Sequence, residues 1–285
     1  MATPISFRTR DGLTLAGEAW GDPGDSPVLL VHGGGQTRHS WGDTAAVVAE
    51  RGWYAIAYDQ RGHGTSDRSP GAEYDIGSFA ADLADVMASL ALPAIVVGAS
   101  LGGLAGLLVD GQVAPGAMRA LVLVDITPRQ ESAGVDRIVG FMLERAEEGF
   151  ATLDEVADSI AVYQPHRERP VNLDGLRKNL RLGEDGRWRW HWDPLLFNAE
   201  TGLSSARVAD QFLTAARGLD LPVLLIRGKL SDLVSTETAQ EFLDLVPHAQ
   251  FADVSDAGHM VAGDRNDLFT DAVVGFLDQL DPCRR

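Results

Sequence analysis

Five runs of the chain are almost uninterrupted apolar stretches: VLLVH (28–32), WYAIAYD (53–59), AIVVGA (94–99), ALVLVD (120–125) and VLLIRG (223–228). A strand with one face in water alternates polar and apolar residues. A strand buried on both faces does not, and that is the condition of a parallel sheet covered by helices. Between the runs lie helical patterns. From Asp75, which suits an N-cap, apolar residues fall at Ile76, Phe79, Ala80, Leu83, Val86, Met87 and Leu90, one face of a helix. Near the C-terminus Leu268, Phe269, Ala272, Val273, Phe276, Leu277 and Leu280 repeat it. Strands alternating with helices imply βαβ units. SFRTR and LTLAGEAW, near the N-terminus, alternate more and read as an antiparallel edge, and AQFADV reads as the last strand. From Thr127 to Leu219 the alternation stops: the stretch is charged, Arg-rich and helical in pattern, with no buried strand. The expected organisation is an α/β core over 1–126 and 220–285, with a helical cap inserted over 127–219.

The composition narrows the partners. With 24 basic against 41 acidic residues, the formal charge is −17. Such a chain is repelled by nucleic-acid phosphates and by anionic lipid, so neither is expected as a partner. The apolar content of 45% is ample for a packed core. Val86 to Val109 carries no charge, yet Pro93 and its glycines divide it into helix end, strand, turn and helix, so a membrane span is not expected. One cysteine, Cys283, forbids an internal disulfide, and no apolar leader is visible at the N-terminus. Both fit a cytoplasmic protein. The histidines lack metal-ligand spacing, and neither a metal nor a cofactor is expected.

The chemistry concentrates in Gly98-Ala99-Ser100-Leu101-Gly102, the one G-x-S-x-G of the chain. A serine on a sharp strand-to-helix turn needs neighbours without side chains, and the turn projects its Oγ above the sheet edge. The hydroxyl needs a base and the base an orienting carboxylate, in the chain order Ser, acid, His. His248 and His259 follow the last buried run. His248 sits in VPHAQF, where the final strand AQFADV begins, and reads as surface, whereas His259, in the loop SDAGHMVAGD, is the expected base. Two carboxylates compete for the third place. Asp232 lies in the loop after VLLIRG; Asp125 ends ALVLVD. Asp232 is taken as the acid and Asp125 as a brace for the loop leading into the insertion. Asp253, Asp256 and Asp264 read as solvated charges or helix caps. An oxyanion hole would take one N–H from Leu101 and a second from the His32-Gly33-Gly34-Gly35 loop, assigned to Gly34 ahead of Gly35. In YDQRGHGTSD (58–67), Arg61 and Asp67 read as structural.

Taken together, VHGGG, DQRGHGTSD, GASLGG, RGKLSD and AGHMVAGD occur in an order and spacing that resembles the α/β-hydrolase superfamily, along nearly the whole chain. The resemblance implies an eight-stranded, mostly parallel sheet flanked by helices, with a cap after the sixth strand. It is nearest to capped esterases, C–C hydrolases and epoxide-hydrolase-like proteins. The last of these use an aspartate at the elbow, so Ser100 speaks against epoxide hydrolysis by that route. The expected activity is serine hydrolysis of an apolar small-molecule ester, lactone or related acyl compound through an acyl-enzyme. C–C hydrolysis or cofactor-free perhydrolysis on the same scaffold, and a receptor without turnover, are the alternatives. In GRWRWHWDP, Trp188, Trp190 and Trp192 alternate with Arg189 and His191, as an extended segment with one aromatic face. These tryptophans pack the cap onto the core or line an apolar pocket, with Trp41, Met142, Tyr163 and Met260 as further lining candidates.

Overall fold

A computed structural model describes residues 1–165, 167, 169, 171–197 and 206–280; Cys283 lies outside them. In chain order the core begins with β1 (Thr3–Arg8), β2 (Thr14–Trp20), β3 (Pro27–Val31), α1 (Gly42–Glu50), β4 (Tyr54–Tyr58), α2 (Ile76–Ala88), β5 (Ala94–Ala99), α3 (Leu101–Leu108) and β6 (Met118–Val124). There follow α4 (Ser132–Leu143), α5 (Leu153–Tyr163), β7 (Leu180–Leu182), β8 (Trp188–Trp190) and α6 (Ala206–Arg217). The chain then returns with β9 (Val223–Gly228), α7 (Thr236–Leu245), β10 (Gln250–Val254), α8 (Val261–Asp264) and α9 (Asn266–Leu277).

The apolar runs become the centre of an eight-stranded sheet of order β1-β2-β4-β3-β5-β6-β9-β10. β1 pairs antiparallel with β2, and β2 with β4; every other pairing is parallel. Lack of alternation meant burial on both sides. Leu29, Val31, Val96, Leu121 and Leu123 join one apolar cluster with Phe79 and Leu83 of α2 and Leu104 of α3. Their neighbours Val28, Leu30, Ile95, Val97 and Val122 join the opposite cluster with Val48 of α1 and Phe269 and Val273 of α9. Asp75 caps α2, its carboxylate accepting from the Ser78 N–H.

The stretch between β6 and β9 is mixed. α4, α5 and the β7–β8 hairpin lie over the C-terminal edge of the sheet, where they line the cavity described below. Strands of three residues are too short to show as a buried run. α6 packs instead against α3, and Gly111 lies so near Ala215 that an added Cβ would come within 2.5 Å of its methyl. The expected cap segment thus closes with a helix that flanks the sheet. None of the described helices is long and apolar enough to cross a membrane; 86–109 resolves into the end of α2, β5 and α3.

Candidate active site

Ser100 stands between β5 and α3 with φ 45° and ψ −114°, a backbone conformation that costs a side-chain-bearing residue about 1–3 kcal/mol. Its surroundings enforce it. A Cβ on Gly98 would fall 2.5 Å from the Gly102 carbonyl oxygen, one on Gly102 would fall 2.4 Å from that of Val31, and one on Gly103 would fall 2.5 Å from Ile126. The glycines of G-x-S-x-G are therefore close-approach residues. The Ser100 N–H is tied to the Val124 carbonyl at the end of β6, 3.1 Å away.

The residue after Val124 is Asp125, also at positive φ (49°), with its N–H on the Ile226 carbonyl of β9. Its fully buried carboxylate takes three hydrogen bonds: Oδ1 from the Gly228 N–H (2.9 Å), and Oδ2 from the Ser231 hydroxyl (2.6 Å) and His259 Nδ1 (2.7 Å). This corrects the expectation that Asp232 orients His259. Asp232 points away, its Oδ2 2.6 Å from the Arg137 guanidinium of α4, and its side chain is 36% exposed. The cause is local. The loop after β9 presents Ser231, and α4 presses so closely on the 232–233 backbone that a Cβ on Gly134 would meet the Asp232 carbonyl at 2.3 Å. Asp264, expected as a solvated charge or cap, has its carboxylate buried: it accepts from the Gly258 N–H (2.8 Å) and pairs with Arg167, bracing the His259 loop. His248 meets the Leu221 carbonyl at the surface.

The glycine loop after β3 is pinned amide by amide. The Gly33 N–H goes to Gln36 Oε1 (2.9 Å) and the Gly35 N–H to His63 Nε2 (3.0 Å). Of the three glycine amides, these two are committed inside the protein, which favours Gly34 as the outward donor. Leu101 opens α3, where a helix leaves its first N–H groups without intrahelical acceptors. Three buried histidines support the loop. His32 Nδ1 contacts the Gly33 carbonyl while its Nε2 accepts from the Gln60 N–H. His63 Nδ1 contacts the Arg61 carbonyl. His191, beside β8, accepts the Gly64 N–H at Nδ1 (2.7 Å) and meets the Gly35 carbonyl at Nε2 (3.2 Å). Accepting from a backbone N–H requires a neutral ring. Burial above all, with the unfavourable neighbourhood of the His32 ring second, pushes His63 well below the ordinary range and His191 down to about 3. Neither His63 nor His191 was marked by the sequence as part of a site. The nearest signal was the position of His191 within an alternating aromatic run.

Ser100, Leu101, Gly34 and His259 all line one cavity of about 670 Å³ between the sheet edge and the α4, α5 and β8 segment. Of the expected lining residues, Met142, Tyr163, Trp190, Trp192 and Met260 are there. Trp41 is not: it is buried against Phe269 in the far-side core. Trp188 is not either: it begins the strand and lies under the Arg177 guanidinium, 5.0 Å from its ring, so only the two later tryptophans reach the cavity. Arg167 and Arg169 also line it, but Arg167 is paired with Asp264 and Arg169 with Asp154 and Asp158. Among the described residues no cluster of three or more His, Cys, Asp or Glu is disposed to hold a metal ion.

A hydroxyl, an imidazole and a buried carboxylate on three strand-end loops, beside outward amides, form a set able to carry out acyl transfer. Residues 26–265 match the family described as alpha/beta hydrolase fold. The chain is 31% identical over 267 residues to the esterase Rv0045c of Mycobacterium tuberculosis, covering 91% of this chain and 85% of that one. It is 27% identical to the 2-(acetamidomethylene)succinate hydrolase of Mesorhizobium japonicum, covering 90% of each. Among solved structures, an alpha/beta hydrolase from Novosphingobium aromaticivorans superposes with a TM-score of 0.80 at 24% identity, over 98% of this chain and 99% of that one.

Proposed function

The chain belongs to the α/β-hydrolase fold family, and from that premise we propose that it is a serine hydrolase of a carboxylic ester, lactone or related acyl compound. The observation that carries this reading is the bond from His259 Nδ1 to Asp125. With its proton held at Nδ1, the neutral ring keeps Nε2 free to accept. In this mechanism Ser100 Oγ attacks the carbonyl carbon as His259 Nε2 takes the hydroxyl proton. Asp125 stabilises the imidazolium, and the Gly34 and Leu101 N–H groups hold the oxyanion. The C–O bond then breaks, His259 returns the proton to the leaving alcohol, and an acyl-Ser100 ester remains. Water attacks that ester by the same steps in reverse order and frees the acid.

The cavity favours a small, largely apolar and uncharged substrate: its arginines are already ion-paired, and Leu104, Ile126, Val135, Ile138 and Phe141 dominate its wall. A fluorophosphonate probe tests the assignment. It should label the wild-type protein and leave Ser100→Ala unlabelled, with p-nitrophenyl ester turnover falling by about 10⁴-fold or more. Equal labelling of both proteins overturns it.

A further inference from the structure

Asp125 Oδ2 accepts from two side chains at once, His259 Nδ1 at 2.7 Å and the Ser231 hydroxyl at 2.6 Å. The orienting role of Asp125 accounts for the first bond and leaves the second without a purpose. The Ser231 hydroxyl has no freedom of its own. Its oxygen accepts from the Leu233 N–H and the Val234 N–H, both at 3.1 Å. A hydroxyl offers two acceptor positions and one proton. With both acceptor positions filled by backbone, the proton is directed to Asp125 alone. The turn beneath is pinned as well. The Ser231 N–H goes to the Gly228 carbonyl (2.9 Å), and the Leu230 N–H goes to the carbonyl of Ala257 (2.8 Å), on the loop that carries His259.

We propose that Ser231 is a positioning residue of the His259–Asp125 pair, its donated proton fixing which way the carboxylate faces. The inference rests on the hydrolase reading and adds a residue to its machinery. A carboxylate can turn about its Cβ–Cγ bond. Here the Gly228 N–H holds Oδ1 (2.9 Å) and Ser231 holds Oδ2, one anchored donor for each oxygen. The plane is therefore set without help from His259, and Oδ2 stays in place while the imidazole takes and returns its proton. An oxygen fixed opposite Nδ1 keeps the proton on that nitrogen and leaves Nε2 as the base. The Asp125 side chain is fully buried, where a donated bond to a charge counts for more than it does in water.

Ser231→Ala and the near-isosteric Ser231→Cys, whose thiol is a weak donor, test the assignment. In both, kcat for p-nitrophenyl butyrate should fall by about tenfold or more, with KM held within about twofold. Each substitution also disturbs the Leu233 and Val234 amides, so the same changes are made in Asp125→Asn. There the further loss should be less than about threefold, because the carboxylate through which Ser231 acts is already gone. An equal loss in both backgrounds, or an unchanged kcat in the single variants, overturns the proposal. A second arm needs no substrate. In spectra of ¹⁵N-labelled histidine, the neutral wild-type His259 should carry its proton at Nδ1, and both Ser231 variants should show a share of the Nε2–H tautomer. An unaltered tautomer overturns the positioning role. Were the wild type to turn over no ester while the tautomer still changed, the hydrolase reading would fail and the role of Ser231 in orienting the pair would stand.

Discussion

At the sheet edge, Asp125 has a hydrogen bond on every side, the amides of Gly33 and Gly35 are each tied to a named side chain, and the elbow glycines leave no room for a methyl group. In the α4, α5 and β8 segment opposite, Gly140 faces open space, Val162 and Val171 stand in solvent, and Gln164 and Trp190 keep polar atoms unpaired. The first region is over-determined and the second under-determined. Bond-making geometry tolerates displacements well under an ångström. Recognition of a flexible apolar molecule asks only for a wall of suitable shape with a few directed groups. One cavity therefore joins a floor that is fixed by many bonds to a roof that is shaped mainly by ring packing.

The contrast can be broken at several points. The largest effect belongs to Asp125→Asn, which preserves shape but removes the charge facing His259; ester turnover should fall by about 10⁴-fold, while Asp232→Asn, at the Arg137 pair, stays within about threefold. Steady-state kinetics of the two variants decide it, and the reverse ranking would restore Asp232. Next comes Gly102→Ala, whose methyl meets the Val31 carbonyl oxygen and should destabilise the fold by about 3 kcal/mol in a urea melt. His191→Phe strips partners from Gly35 and Gly64 and should lower kcat by about tenfold, with a smaller change in KM.

The same histidine sharpens the comparison through pH. Unfolded, an imidazole binds its proton near pH 6.5; folded, His191 does so only near 3. Between these values the unfolded chain holds the extra proton, so stability is full above about pH 6.5 and declines as the pH falls, by about 1.4 kcal/mol per unit for one such group. Urea melts from pH 7 to pH 5 should show a shallower decline for His191→Phe than for the wild type. The smallest effect is expected in the roof. Gly140→Ala, inside α4 with nothing within 4 Å of the added methyl, should stabilise the fold by about 0.5–1 kcal/mol and leave turnover unchanged.

Much of the floor was legible in the sequence because contiguous residues encode it. Apolar runs without alternation gave the buried strands, and the spacing of glycines around Ser100 gave the elbow. The carboxylate was not legible by the same means. Asp125 and Asp232 both follow strands that end at the same edge, and the choice depends on where α4 and Ser231 lie. Asp125 follows its strand directly, whereas Asp232 comes after a turn of Lys229, Leu230 and Ser231 that carries it toward Arg137. The roof was least legible, since alternation places three tryptophans on one face without saying how far the cavity extends beneath them. Trp190 and Trp192 reach it and Trp188 does not. His63 and His191 were invisible because their role is to grip a peptide group contributed by a distant segment.

That grip couples assembly to chemistry. The peptide groups flanking Gly35 are clasped at the N–H by His63, from the loop after β4, and at the C=O by His191, from the stretch after β8, while the Asp193 N–H and Arg181 fasten the same stretch to Gly62 and Gly64. Lifting the hairpin would release one jaw of the clasp and leave the Gly33–Gly35 loop with fewer anchors while the sheet beneath stays whole. On the proposed hydrolase reading, ester turnover should therefore be lost at lower urea or temperature than the circular dichroism of the sheet.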